Sequence, residues 1–149
     1  MSSTIQKQVQ EQVKIAMRAR DKKRLAALRL ISADFKKVEV DERIELTDQR
    51  ILAILDKMTR QRRDSLSQFK EVGRDDLVEQ EQLELDVINE FMPDQLDSAE
   101  LEALIDEAVA ETGAESMRDM GKVMGRLKNH VQGRVDMGVV GTLVKSRLN

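Results

Sequence analysis

Apolar residues recur every three to four positions along almost the whole chain, and nowhere do they alternate as a half-buried strand requires. Ile5, Val9, Val13, Ala16 and Met17 share one side of a first helix, for which Ser2, Ser3 and Thr4 are candidate N-caps. The same period runs through Leu25, Leu28, Ile31, Phe35 and Val38 and predicts a second helix over about residues 21–40, after which Asp41, Glu42 and Arg43 begin a connection. Thr47 followed by Asp48 offers a small polar cap and a first-turn acid. The third helix then passes through Ile51, Leu55, Met58, Arg62, Leu66 and Phe69 and stops at Gly73. Arg74, Asp75 and Asp76 open a fourth, which carries Leu77, Leu83, Val87, Ile88 and Phe91.

The only proline, Pro93, disfavours helical geometry at Met92 and cannot continue the helix ladder. A boundary there divides an N-terminal domain of about four helices, residues 1–92, from a small three-helix bundle at 93–149, with Pro93 as the hinge. In the second part Asp97 caps a helix carrying Leu101, Leu104, Ile105, Ala108 and Val109, which Thr112 and Gly113 close. Glu115 or Ser116 leads into a glycine-bearing helix that runs to about Val131 and ends at Gly133. A last helix from about Val135 to Leu148 presents Val139, Val140, Leu143, Val144 and Leu148. The predicted fold class is all-α.

Composition agrees with that class: 36% of residues are charged, and the aromatics are only Phe35, Phe69 and Phe91, so the core must be aliphatic. With no cysteine, disulfides, zinc-thiolate sites and thiol nucleophiles are excluded, and a lone His130 cannot build a multi-histidine metal site. No cofactor is expected. No apolar run approaches the roughly 20 residues that span a bilayer, and the first residues lead into a polar amphipathic stretch, so the expectation is a cytoplasmic protein without a membrane partner.

The net charge of -3 hides a segregation along the chain. Residues 1–74 carry net +7, residues 75–119 net -15, and residues 120–149 net +5. Such blocks are either basic surfaces flanking an acidic one or internal complements between packed helices, and the sequence leaves both open.

Catalysis has little to work with. The carboxylates of Glu79, Glu81, Glu84 and Asp86 fall mostly on what the spacing predicts to be an exposed charged face, and Gly138-Val139-Val140-Gly141 lacks the Lys-Ser/Thr of a phosphate loop. No catalytic residue is assigned. Binding has better material. Gly121 and Gly125, one helical turn apart, offer a surface without side chains, at a cost of about 2 kcal/mol relative to alanine. A sequence that tolerates this loss gains either tight packing of another helix or backbone access for a ligand. Lys122, Arg126, Lys128, His130 and Arg134 can meet phosphates, although the aromatic platforms that stack unpaired bases are nearly absent. Two further basic sets lie at Arg18, Arg20, Lys22, Lys23, Arg24 and Arg29, and at Arg60, Arg62, Arg63, Lys70 and Arg74.

Several segments carry a resemblance. Asp119-Met120-Gly121-Lys122-Val123-Met124, preceded by Glu111-Thr112-Gly113-Ala114, is similar to the tail domain of the GatB/YqeY family. Phe91 to Leu96 with Glu100 to Ile105 resembles the entry to that tail, and Gly133 to Asp136 with Leu143-Val144-Lys145 its last helix. Leu28 to Ala33 and Arg60 to Ser65 resemble the N-terminal domain of free-standing YqeY-like proteins. The resemblance implies a tail related to the C-terminal part of the B subunit of glutamine-dependent tRNA amidotransferases, where it helps hold tRNA while chemistry resides elsewhere. Carbon-nitrogen ligase activity with glutamine as amide donor attaches to the family, and this chain is not expected to perform it alone. A tRNA contact then transfers to Lys122 and its glycine neighbours. One departure is Met137 standing between Asp136 and Gly138, which leaves the geometry of the final turn open.

The expected function is therefore a non-catalytic protein that binds tRNA, or an amidotransferase-type complex, through Lys122, Arg126, Lys128 and Arg134 beside Gly121 and Gly125. Two alternatives stand beside it: a protein-interaction module without an RNA role, and an accessory subunit that promotes amidotransferase activity in trans.

Overall fold

The computed structural model describes residues 3–149, which form helices and turns with no strand among them; the candidate cap Ser2 lies outside the described residues. The chain divides into two compact units, Met1–Met92 and Pro93–Asn149.

The first unit holds α1 (Thr4–Ala19), α2 (Lys22–Glu42), α3 (Asp48–Glu71) and α4 (Asp75–Asn89). Polar side chains set the starts of the first three. Ser3 Oγ accepts the Gln6 N–H at 3.2 Å, Asp21 accepts that of Arg24 at 3.2 Å, and Thr47 accepts that of Arg50 at 3.2 Å. Asp48 ties two of these ends together, because its carboxylate accepts the Ser3 hydroxyl and the Ile5 N–H. Those two hydrogen bonds hold the Asp48 carboxyl below its ordinary range, the hydroxyl contributing most. Helix α2 runs two residues beyond the predicted end, since Arg43 takes a left-handed conformation (φ 54°) and caps it. Gly73 (φ 70°) follows the end of α3.

Helices α1 and α2 pack as neighbours, as do α3 and α4, and α2 also packs on α4. Leu28, Ile31, Phe35, Leu46, Ile51, Leu55, Met58 and Ile88 are fully buried between them. Phe91, predicted on the fourth helix, lies just past its end. The N–H groups of Glu90, Phe91 and Met92 bond three residues back, to Val87, Ile88 and Asn89, and this tighter turn folds the ring into the core.

The second unit holds α5 (Ser98–Thr112), a 3-10 turn (Met117–Asp119), α6 (Met120–Val131) and α7 (Met137–Leu148). Its core is Leu101, Ile105, Ala108, Val123, Leu127, Val131, Val140, Val144 and Leu148. Asp97 caps α5 by accepting the Glu100 N–H at 2.8 Å, and Gly113 (φ 67°) ends it. The 3-10 turn is Asp119's doing, since its carboxylate reaches back to the N–H groups of Glu115 (3.0 Å) and Ser116 (3.4 Å). Helix α7 starts two residues later than predicted because Asp136 is its cap, accepting the Gly138 N–H at 2.8 Å. This also settles the turn that Met137 left open, for a Cβ at position 138 would meet the Asp136 carboxylate at 3.1 Å.

Candidate nucleic-acid interface

Helix α6 buries Val123, Leu127 and Val131 on one stripe, with Met120 and Met124 packed beside them. At 3.6 residues per turn the remaining arc carries Gly121 and Lys128 on one flank, Gly125, Lys122 and Asn129 near its outermost line, and Arg126 and His130 toward α5. Both glycines are exposed, and a Cβ built at either meets nothing within 4 Å among the described residues. Among the described residues no side chain packs onto either glycine. Two adjacent turns of backbone therefore stand open.

The four predicted cations occupy different situations. Lys122 extends into solvent with its side chain 72% exposed, and its Nζ lies 4.0 Å from an Asp119 oxygen. Asp119 is held below the ordinary carboxylate range by the N–H groups of Glu115 and Ser116, with the Lys122 charge adding to the effect. Lys128 is exposed and makes no ion pair or side-chain hydrogen bond among the described residues. Arg126 donates from Nε to Glu111 of α5 at 2.6 Å. The Arg134 guanidinium bonds backbone, donating to the carbonyls of Asp94 (3.1 Å) and His130 (3.3 Å). Together with the Leu96 N–H on the Arg134 carbonyl (2.8 Å), it ties the entry of α5 to the end of α6.

The structure thus brings Gly121, Gly125, Lys128 and Lys122 onto one open arc, sets Arg126 at its α5 edge, and places Arg134 at the far end of the helix as a clamp. His130 lines a cleft of about 340 Å³ between α5 and α6, with Glu107, Glu111, Arg126 and Asn129, and Gly125 borders the same cleft. Asn129 continues the row of Gly121 and Gly125 at the same four-residue spacing. Its neutral side chain gives no charge signal, and only the four-residue spacing marks it in the sequence.

Part of the charge segregation is internal complementarity. In the second unit Arg126 pairs with Glu111, and Arg147 of α7 pairs with Asp106 of α5. In the first, Arg24 grips both oxygens of Glu90 at 2.6 and 2.9 Å, and Arg62 of α3 meets Glu84 of α4 at 3.2 Å. Glu84 is only 8% exposed, so it leaves the exposed acidic face predicted for it. The carboxyl of its half-buried neighbour Glu81 is raised by burial and by the Glu84 charge.

Residues 6–148 match the family described as Yqey-like protein, and the chain belongs to that family. It is similar to a protein of Pyrenophora tritici-repentis named Altered inheritance of mitochondria protein 41, mitochondrial, with 30% identity over 128 residues, 85% of this chain and 70% of that one. A protein of the same name from Eremothecium gossypii is 38% identical over 85 residues, 56% of this chain and 46% of the relative, so the match spans less than half of that protein. Both relatives are named as mitochondrial, which corrects the expectation of a cytoplasmic protein. That expectation rested on a missing apolar span and a polar amino-terminal stretch. No helix among the described residues is long and apolar enough to cross a membrane, but a helical protein with a charged surface is at home in any aqueous compartment.

Proposed function

We propose that this member of the YqeY-like family binds tRNA, alone or within an amidotransferase-type complex, through the outward arc of α6, and that it catalyses no reaction by itself. The single observation that carries this reading is the bare backbone at Gly121 and Gly125 flanked by Lys122 and Lys128, an arrangement that no contact among the described residues requires. A sugar-phosphate strand can approach the peptide backbone there, where any side chain would hold it off. Lys122 and Lys128 then meet phosphates, each releasing a condensed counterion. Arg126 exchanges Glu111 for a phosphate, and Arg134 keeps the end of α6 in place. With so few aromatic side chains, recognition is of shape and backbone and not of stacked bases. The carbon-nitrogen ligase chemistry associated with the family would belong to other domains of such a complex.

The test is fluorescence anisotropy with bulk deacylated tRNA at about 50 and 200 mM salt. Micromolar binding that weakens steeply with salt is expected, and replacing Lys122, Arg126, Lys128 and Arg134 by glutamine should abolish it while the circular dichroism stays helical. Unchanged affinity in that variant would sink the assignment.

A second reading has its own support. Arg126 and Arg147 are already paired with acids of α5, and a bare glycine face also admits a helix of another protein. That contact would be apolar and nearly indifferent to salt.

A further inference from the structure

The α1–α2 hairpin presents a basic surface that the tRNA reading leaves unused. On α1, Lys7, Lys14 and Arg18 recur at i, i+7 and i+11, away from buried Val9 and Ala16. On α2, Lys22, Arg29 and Lys36 recur at the same seven-residue interval, away from buried Leu28, Ile31 and Phe35. Arg20 lies in the turn between the helices and Lys23 in the first turn of α2. All eight side chains are exposed, and none makes an ion pair among the described residues. The acids nearest them are Glu11, Asp21, whose carboxylate caps α2, Asp34, and Glu39, which accepts from the Gln6 side chain. Lys22 and Lys23 also border a groove with Asp76 and Glu79 of α4, and among the described residues none of these acids pairs with the eight cations. This differs from the second unit, where α5 supplies partners for Arg126 and Arg147.

Two more observations coincide with the charge. Apolar side chains stand in solvent beside the cation rows: Ile15 is 43% exposed, Met17 52% and Leu30 44%. Met17 lies three residues after Lys14, Ile15 three before Arg18, and Leu30 seven after Lys23, so each borders a cation, with Ile15 and Met17 on opposite sides of the Lys14–Arg18 row. Arg20 also sits at φ 55°, in the left-handed region that glycine occupies without strain. A position that favours glycine locally carries a guanidinium instead.

We propose that this face docks onto a phospholipid bilayer rich in anionic headgroups, its cations at the phosphate level and Ile15, Met17 and Leu30 dipping into the interface. Aliphatic stems of lysine and arginine accommodate that geometry by extending toward the headgroups. RNA matches the charge but gives exposed aliphatic side chains no apolar medium to enter, and the face has no aromatic ring for a base to stack on, Phe35 being buried. Docking of this kind needs no spanning segment.

The experiment is co-sedimentation of the full chain with phosphatidylcholine vesicles, with and without phosphatidylglycerol, across a salt series. Binding is expected only with phosphatidylglycerol present. The triple variant Lys14→Gln, Arg18→Gln, Lys22→Gln should partition about a hundredfold less, near fivefold for each cation. Ile15→Ser with Met17→Ser should weaken binding and leave its salt dependence unchanged. Arg20→Gly separates binding from folding: the melting temperature rises while vesicle affinity falls. Equal binding to neutral vesicles, or no binding to anionic vesicles at low salt, overturns the proposal. So does a triple variant that keeps its vesicle binding and loses tRNA, which would assign the face to nucleic acid. The residues tested lie outside α6, so failure here leaves the tRNA reading standing, and the converse holds.

Discussion

Replacing Gly121 and Gly125 by alanine should stabilise the protein and weaken its ligand. Gly125 sits inside α6, and a Cβ there meets open space, so alanine recovers the full propensity difference of about 1 kcal/mol. Gly121 is the second residue of the helix, where backbone ordering counts for less, and about 0.5 kcal/mol is appropriate. The sum, about 1.5 kcal/mol, raises the melting temperature of a domain this small by roughly 6 °C or more. Thermal melts followed by circular dichroism read that shift directly. In the tRNA titration the same double variant should bind more weakly, and Gly125→Leu more weakly still, since each added carbon keeps the strand from the backbone. A melting temperature that falls would refute the reasoning, because it would mean that something in the folded protein already fills the glycine face.

Other expectations follow from the first unit. Arg62→Met leaves Glu84 as an unpaired buried charge and should cost about 3 kcal/mol in a denaturant titration, most of it recovered when Glu84→Leu is added; additive losses in the double variant would show that the pair is not coupled. Acid should loosen the start of α1. The Asp48 carboxyl is depressed by Ser3 and Ile5, so its stabilising contribution is complete above the ordinary carboxylate pKa of about 3.9 and disappears as pH falls through the lower folded value. Asp48→Asn should flatten the stability-pH curve in that acidic window alone, and an unchanged curve would count against the Ser3–Asp48 link.

Local signals made the fold readable, and long-range ones marked its limits. Thr47 and Asp97 cap where a small polar residue precedes an apolar period, and Gly73, Gly113 and Gly133 each take positive φ just past a helix end. These rules use only a few neighbouring residues. What escaped depends on local backbone geometry and on side chains reaching elsewhere: Asp48 joining the starts of α1 and α3, Asp119 accepting the Glu115 and Ser116 N–H groups that lead into the 3-10 turn, and Arg43 ending α2 without glycine. Glu84 was misplaced for the same reason, since only the meeting of α3 and α4 gives it Arg62. At the candidate site the sequence predicted the glycine spacing and the cations, but not that the glycines face open space or that Arg134 holds backbone. Compartment was not legible at all, because solvent-facing charge looks alike in every aqueous setting.

The most direct test of the central claim is the slope of log K against log salt for tRNA binding, compared between the parent chain and Lys122→Gln with Lys128→Gln. If the α6 arc meets phosphates, the parent binds at low salt with a steep negative slope, and the variant's slope is shallower by nearly one for each lysine removed. A parent that does not bind, or a variant whose slope and affinity equal the parent's, would contradict the account and move the open face of α6 to a protein partner.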